Sequence, residues 1–275
     1  DSLDGITAGG NINLEIDGNL TIDSGGAIWA NGRGYPASTG IGLGAGRAGG
    51  GHGGESGCWK GLGGSIPSTT YDSVTNPVLP GSGSVVGDNG SSGGGVVIVR
   101  AAKVTLNGQI AAEGGHPINP GASAGAGGTV NIRAGELQGH GTISVAGGNC
   151  LNNPTGAPVG AGGGGRIAVV LTNSSTFGEV EMNAVGGMTT WARSYWWGGA
   201  GTIYLQGTNQ AHGLLVVSIS LGATHSERTL ISPLTTDAVV GDVQLLGTAK
   251  LAVSEGCTLT VYGTWSNAAT YAISG

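Results

Sequence analysis

Charge is scarce in this chain: ten Lys or Arg and sixteen Asp or Glu among 275 residues, 9% in all, where soluble domains usually carry about a quarter. Ten basic residues and a net charge of −6 leave no Lys/Arg stripe to neutralise phosphates, which excludes nucleic acid as a partner. Long hydrophobic runs are missing as well. No stretch approaches eighteen consecutive apolar residues, so no membrane insertion is expected. Cysteine is limited to Cys58, Cys150 and Cys257, far apart and without CxxC spacing, which allows one disulfide at most. Nine prolines and no strict Gly-X-Y period exclude collagen. Helical apolar spacing is also absent, and that removes the helical classes.

What is abundant is glycine, with 60 residues. Interior glycine costs a helix roughly 0.8–1.0 kcal/mol relative to alanine, while 39% hydrophobic residues, many of them Val, Ile and Leu in short runs, argue against charge-driven disorder. An all-β protein with many tight turns remains.

Internal repeats carry the fold reading. The segment Gly93-Gly94-Gly95-Val96-Val97-Ile98-Val99 returns as Gly127-Gly128-Thr129-Val130-Asn131-Ile132, then Gly164-Gly165-Arg166-Ile167-Ala168-Val169, then Gly199-Ala200-Gly201-Thr202-Ile203-Tyr204-Leu205. Aligning Val97, Val130, Ile167 and Ile203 gives steps of 33, 37 and 36 residues. A second element follows in each unit: residues 20–32 at the N-terminal end, then 106–115, 137–148 and a looser copy at 177–187. Both elements alternate apolar with small or polar residues, the period of a half-buried strand. Each unit therefore reads as strand, turn, strand and Gly-rich loop, and stacking such units buries a continuous core. Glycine is expected at the corners because it adopts positive φ, and between stacked backbones because it lets them approach.

The architecture this predicts is all-β, a right-handed parallel β-helix (β-solenoid) with Gly-rich loops on one edge; a β-sandwich is the alternative. Residues 1–213 read as Gly-rich coils with a long loop insertion at 33–93. Residues 214–275 read as plainer C-terminal coils continuing the same solenoid. Loops at 33–93, 114–126, 147–163 and 186–199 fall at one phase of the repeat, so their shared edge is the first place to look for a site. The end at Gly275, without capping helix or charged segment, reads either as a fragment of a longer protein or as an edge that associates.

Segments such as GSSGGGVVIVRAAKVTLNGQIAAEGG, GAGGTVNIRAGELQGHGTISVAGG, GAGGGGRIAVVL and GGAGTIYLQG resemble the Gly-rich repeats of large bacterial extracellular proteins, for example in verrucomicrobial and planctomycete-like bacteria. The resemblance spans most of residues 20–265. It implies a β-solenoid outside the cell or on its surface, and it brings no catalytic motif.

Candidate chemistry is sparse. Trp191, Arg193, Tyr195, Trp196 and Trp197 cluster in the last Gly-rich loop, and Trp59 lies in the first. Such rings stack on sugars, but packing or a subunit interface is the favoured reading. Glycosidic cleavage usually takes two carboxylates, for which the loop edge offers Glu55, Asp72, Asp88 and Glu113. They are scattered and read better as solvated turn residues, Asp88-Asn89-Gly90 in particular. His52, His116, His140, His212 and His225 share no HxH or HExxH spacing, so neither metal nor cofactor is expected. A Cys58–Cys150 disulfide tying two loops is one reading, free buried thiols the other. The expectation is a structural or adhesive extracellular solenoid whose partners are itself or other surface proteins. The alternative is a carbohydrate-binding or polysaccharide-degrading protein, a lyase or glycoside hydrolase, using the loop at 191–197.

Overall fold

The computed structural model describes residues 10–58, 65–85, 90–119, 121–150, 159–189, 197–219 and 226–268. These residues contain strands, turns and extended segments but no helix. One sheet has eight strands: β1 (Asn11–Ile22), β4 (Val96–Leu106), β6 (Thr129–Gln138), β8 (Arg166–Leu171), β10 (Thr202–Gln206), β11 (Leu214–Ser218), β15 (Asp242–Leu246) and β18 (Trp265–Ala268), in that spatial order. A second has four: β2 (Ala27–Trp29), β5 (Gln109–Ala111), β7 (Thr142–Ser144) and β9 (Glu181–Asn183). Three short pairs complete the set: β3 (Asp72–Ser73) with β13 (Thr235–Thr236), β12 (Thr229–Ile231) with β16 (Leu251–Val253), and β14 (Val239–Val240) with β17 (Thr260–Val261). All strand pairs are parallel except β10 with β11.

The repeat in the sequence is the register of the sheet. Val97 pairs Val130, Val130 pairs Ile167, and Ile167 pairs Ile203. The second repeat element does the same, with Ile28, Ile110, Ile143 and Met182 on successive rungs. These two rows face each other and form one core together with Val99, Ile132, Val169 and Leu205. Period-2 alternation put every second residue on that side, and the β-branched side chains suit a pleated, buried face.

At Leu214, where the sequence changes character, the chain also changes direction. Leu215 pairs Tyr204 in the antiparallel β10–β11 contact, so β11, β15 and β18 run against the first five strands. The buried cluster around β11 and β15 moves to the opposite sheet face: Tyr204, Leu215, Val217, Val243 and Leu245 pack with Val74, Ile231 and Val240.

Glycine works differently from the corner role expected of it. Ten described glycines have positive φ, yet none of them belongs to the dense runs at 93–95, 125–128, 160–165 or 198–201. Those runs are buried, extended and bonded to several neighbours at once. Gly160 and Gly163 donate to Arg47 and Gly50 (both 2.9 Å), Gly162 and Gly165 to Gly148 and Val145 (3.0 and 2.8 Å), while Ala124 and Gly127 donate to Gly160 and Gly163 (3.1 and 2.9 Å). Each neighbour is met every third residue. A β-strand meets a partner every second residue, whereas an extended helix of three residues per turn makes no internal bonds and turns its backbone groups outward in several directions. The glycine segments therefore form a bundle held by main-chain bonds. Its close spacing excludes side chains: a Cβ on Gly164 would lie 2.0 Å from the Ala184 carbonyl oxygen, and one on Gly201 would lie 1.8 Å from that of Gly165.

The 33–93 insertion joins this bundle. Gly50 donates to Ala124 O at 2.9 Å and Gly53 to Gly164 O at 3.0 Å. The Gly-rich segments do gather, but they close into a packed body, and the expected open loop edge is filled by their own backbone.

Candidate functional site

The insertion brings a buried polar cluster against the outer face of the eight-stranded sheet. Asp72, at positive φ, accepts from the backbone N–H groups of Val78 and Leu79 at 2.9 and 2.8 Å. His52 packs tilted against Tyr71 with ring centroids 4.7 Å apart, bonds Gly127 O through Nδ1 at 2.9 Å, and brings Nε2 to 3.5 Å from Asp72 Oδ2. Arg166 reaches Tyr71 O through Nε at 2.8 Å and Thr202 Oγ1 through Nη1 at 2.9 Å. Burial pushes the Asp72 carboxyl up, but His52, the Leu79 N–H and Arg166 outweigh it and hold it below the usual carboxylate range. Burial also lowers Arg166 to about 10 against the opposing charge of Asp72, and it pushes the Tyr71 phenol up. His52, Asp72 and Arg166 are all buried. Chemically the cluster is a clamp between insertion and sheet.

Two carboxylates expected to be solvated turn residues are thus corrected. Asp72 belongs to this clamp. Glu55 is buried too and receives a bidentate grip from Arg228, Nε at 2.9 Å and Nη2 at 2.8 Å. The reason is the same for both: the insertion packs inward, where an unpaired carboxylate would be costly. Glu113 lies on the outer side of the four-stranded sheet, bonded by Asn31 and Ser144. Asp88 lies outside the described residues, as do Trp59, Trp191, Arg193, Tyr195, Trp196 and His225. Trp197 is partly buried against the second core. Glu55, Asp72 and Glu113 occupy three separate settings, so no pair of them flanks a bond to be cleaved.

Of the two readings of Cys58 and Cys150, the disulfide is not formed and both are free buried thiols. Burial raises the Cys150 thiol to about 12, which removes it from thiolate chemistry. Among the described residues no group of three His, Cys, Asp or Glu is placed to hold a metal ion.

An open groove of about 520 Å³ crosses the outer face of the sheet, where β8 ends and β1 bulges between Ile16 and Asn19. Its floor is the backbone of Ala101 and Ala134, whose side chains turn to the core, with Ala102 and Gly135, and Arg100 and Arg133 stand on adjacent rungs beside it. Glu15 and Asp17 close one end, Thr172 and Asn173 the other. The sequence held one signal for it, the glycine inside the strand run TVNIRAGELQ, which marks close approach of another group. Two groups approach it: a Cβ on Gly135 would lie 2.4 Å from the Ala102 carbonyl oxygen and 2.9 Å from the Asn173 Nδ2. The two arginines gave no signal, since their adjacency exists only through the parallel register.

No family model matches this chain, and neither the curated proteins nor the solved structures contain a match to it. Among the described residues no helix is long and apolar enough to cross a membrane.

Proposed function

We propose that the chain is a structural, adhesive β-solenoid of the right-handed parallel β-helix type, acting outside the cell or on its surface by joining copies edge to edge into a filament or layer. The likeness of its repeats to those of large bacterial extracellular proteins, and the low charge, agree with this reading. The observation that carries it is the β1 rung. Strand β1 is twelve residues long and pairs on one side only among the described residues. Its inward side chains Ile12, Leu14 and Leu20, with Ile28 of β2, are partly covered, while Val97, Val99, Val104 and Ile110 one rung further are completely buried. An open strand edge beside exposed apolar surface is a template for another chain.

The occupant is a second copy. At the far edge, β18 carries Trp265 at 53% exposure. Because β18 runs against β1, a translated copy meets it as an antiparallel pair, the slightly more stable arrangement. The Gly10 carbonyl accepts from Val96, so strand alternation turns the Asn13 N–H to the free edge. Asn13→Pro removes that donor without touching the β1–β4 ladder. Sedimentation and negative-stain microscopy over a dilution series should show polymers for the wild type and monomers for Asn13→Pro. A wild type that stays monomeric at every concentration contradicts the proposal.

A further inference from the structure

The groove across the eight-stranded sheet contains an arrangement that the fold does not need. Arg100 and Arg133 are directly paired across β4 and β6, and like charges opposite each other weaken a sheet. Arg100 is compensated by Glu15, its neighbour on the other side, at 2.5 Å. Among the described residues Arg133 forms no ion pair with a carboxylate: its hydrogen bonds, at 2.9 and 3.3 Å, both go to the neutral Asn76 Oδ1. Among the described residues Arg133 is thus the guanidinium of this groove without an ion pair, with Thr172 and Asn173 at one end and Asp17, beside the paired Glu15, at the other.

We infer that this groove binds a carboxylate-bearing sugar, one uronate unit of an acidic oligosaccharide. The carboxylate takes the Nη1–Nη2 edge of Arg133, since Asn76 holds the Nε–Nη2 edge; that edge suits planar oxygens, with Arg100 alongside. The pyranose ring lies over the small-residue floor, and its hydroxyls reach Thr172 and Asn173, the few placed polar groups that orient a ligand. An acidic peptide fits less well. The groove crosses the face of a sheet whose main-chain groups are used by neighbouring rungs, so a peptide backbone would find no partners there. This inference concerns a different surface from the β1 edge and stands whether or not copies assemble.

The test is calorimetric titration of the Asn13→Pro protein, which keeps any assembly out of the signal, with trigalacturonate, its methyl ester and a tri-glutamate peptide at low salt. Trigalacturonate should bind, weaken as salt screens the charge, and lose at least about tenfold in affinity with Arg133→Gln, as expected when a charged hydrogen-bond donor is removed. Asn173→Ala should weaken it less, and Lys103→Gln, whose ammonium faces Glu136 outside the groove, should leave it unchanged. Thermal unfolding checks that each variant is folded; should Arg133→Gln fail, Arg100→Gln replaces it with the same expected direction. Absence of trigalacturonate binding, equal binding of the ester, indifference to the arginine substitution, or tighter binding of the peptide would each overturn the inference.

Discussion

Two regions of this molecule are built from the same repeat and held together by opposite means. In the ladder of Val97, Val130, Ile167 and Ile203, the backbone repeats and side chains supply the core. In the glycine bundle around residues 160–165, side chains are excluded and main-chain hydrogen bonds to several neighbours supply the cohesion. The ladder fails when a methyl group is taken away. The bundle fails when one is added.

The largest expected effect follows from that asymmetry. A Cβ on Gly165 would sit 2.1 Å from the Gly128 carbonyl oxygen, in a backbone that can move only with its neighbours. Gly165→Ala should therefore cost more than about 4 kcal/mol, beyond the ordinary range of point mutations. Ile167→Ala, two residues on in the ladder, should cost about 2–5 kcal/mol, the usual result of emptying a core position. Gly25→Ala separates crowding from backbone angle, since Gly25 has positive φ but open space around it; its cost should stay near 1 kcal/mol. Urea denaturation of the three variants gives the order directly. Gly165→Ala with a loss below that of Gly25→Ala would break the comparison.

The seam between the two regions is the Asp72 clamp, and here the expected effect depends on pH. Asp72→Asn keeps a residue that tolerates positive φ but removes the charge facing His52 and Arg166. Breaking such a buried pair usually costs about 3–5 kcal/mol near neutrality. The folded-state pKa of Asp72 is depressed, so the stability it adds is complete above its unfolded value of about 4 and is lost as pH falls through the lower folded value. Wild type and variant should converge in acid. A difference that stays constant from pH 7 down to about pH 2 would assign the loss to shape and leave the charge without a role.

Much of the ladder was legible because side-chain alternation is written one residue at a time. The alignment of Val97 with Val130, Ile167 and Ile203 is the register itself, and the break at Leu214 is where the chain turns antiparallel. The bundle was not legible. Its period of three is carried by backbone groups, and a run such as Ala161-Gly162-Gly163-Gly164-Gly165 has no side-chain pattern to display it. The insertion at 33–93 looked like a loop for the same reason. The clamp sets Asp72 near the charge of Arg166, and the groove sets Arg100 beside Arg133; both arrangements exist only after the rungs have stacked.

Amide hydrogen exchange across residues 159–171 tests the central claim most directly, because it reads bundle and ladder in one contiguous stretch. The account predicts that the Gly162, Gly163, Gly164 and Gly165 amides exchange as slowly as those of Ile167 and Val169, since every one of these glycines donates a bond to a neighbouring segment. Exchange of the glycine amides at the fast rates of an open loop, beside a protected β8, would contradict it.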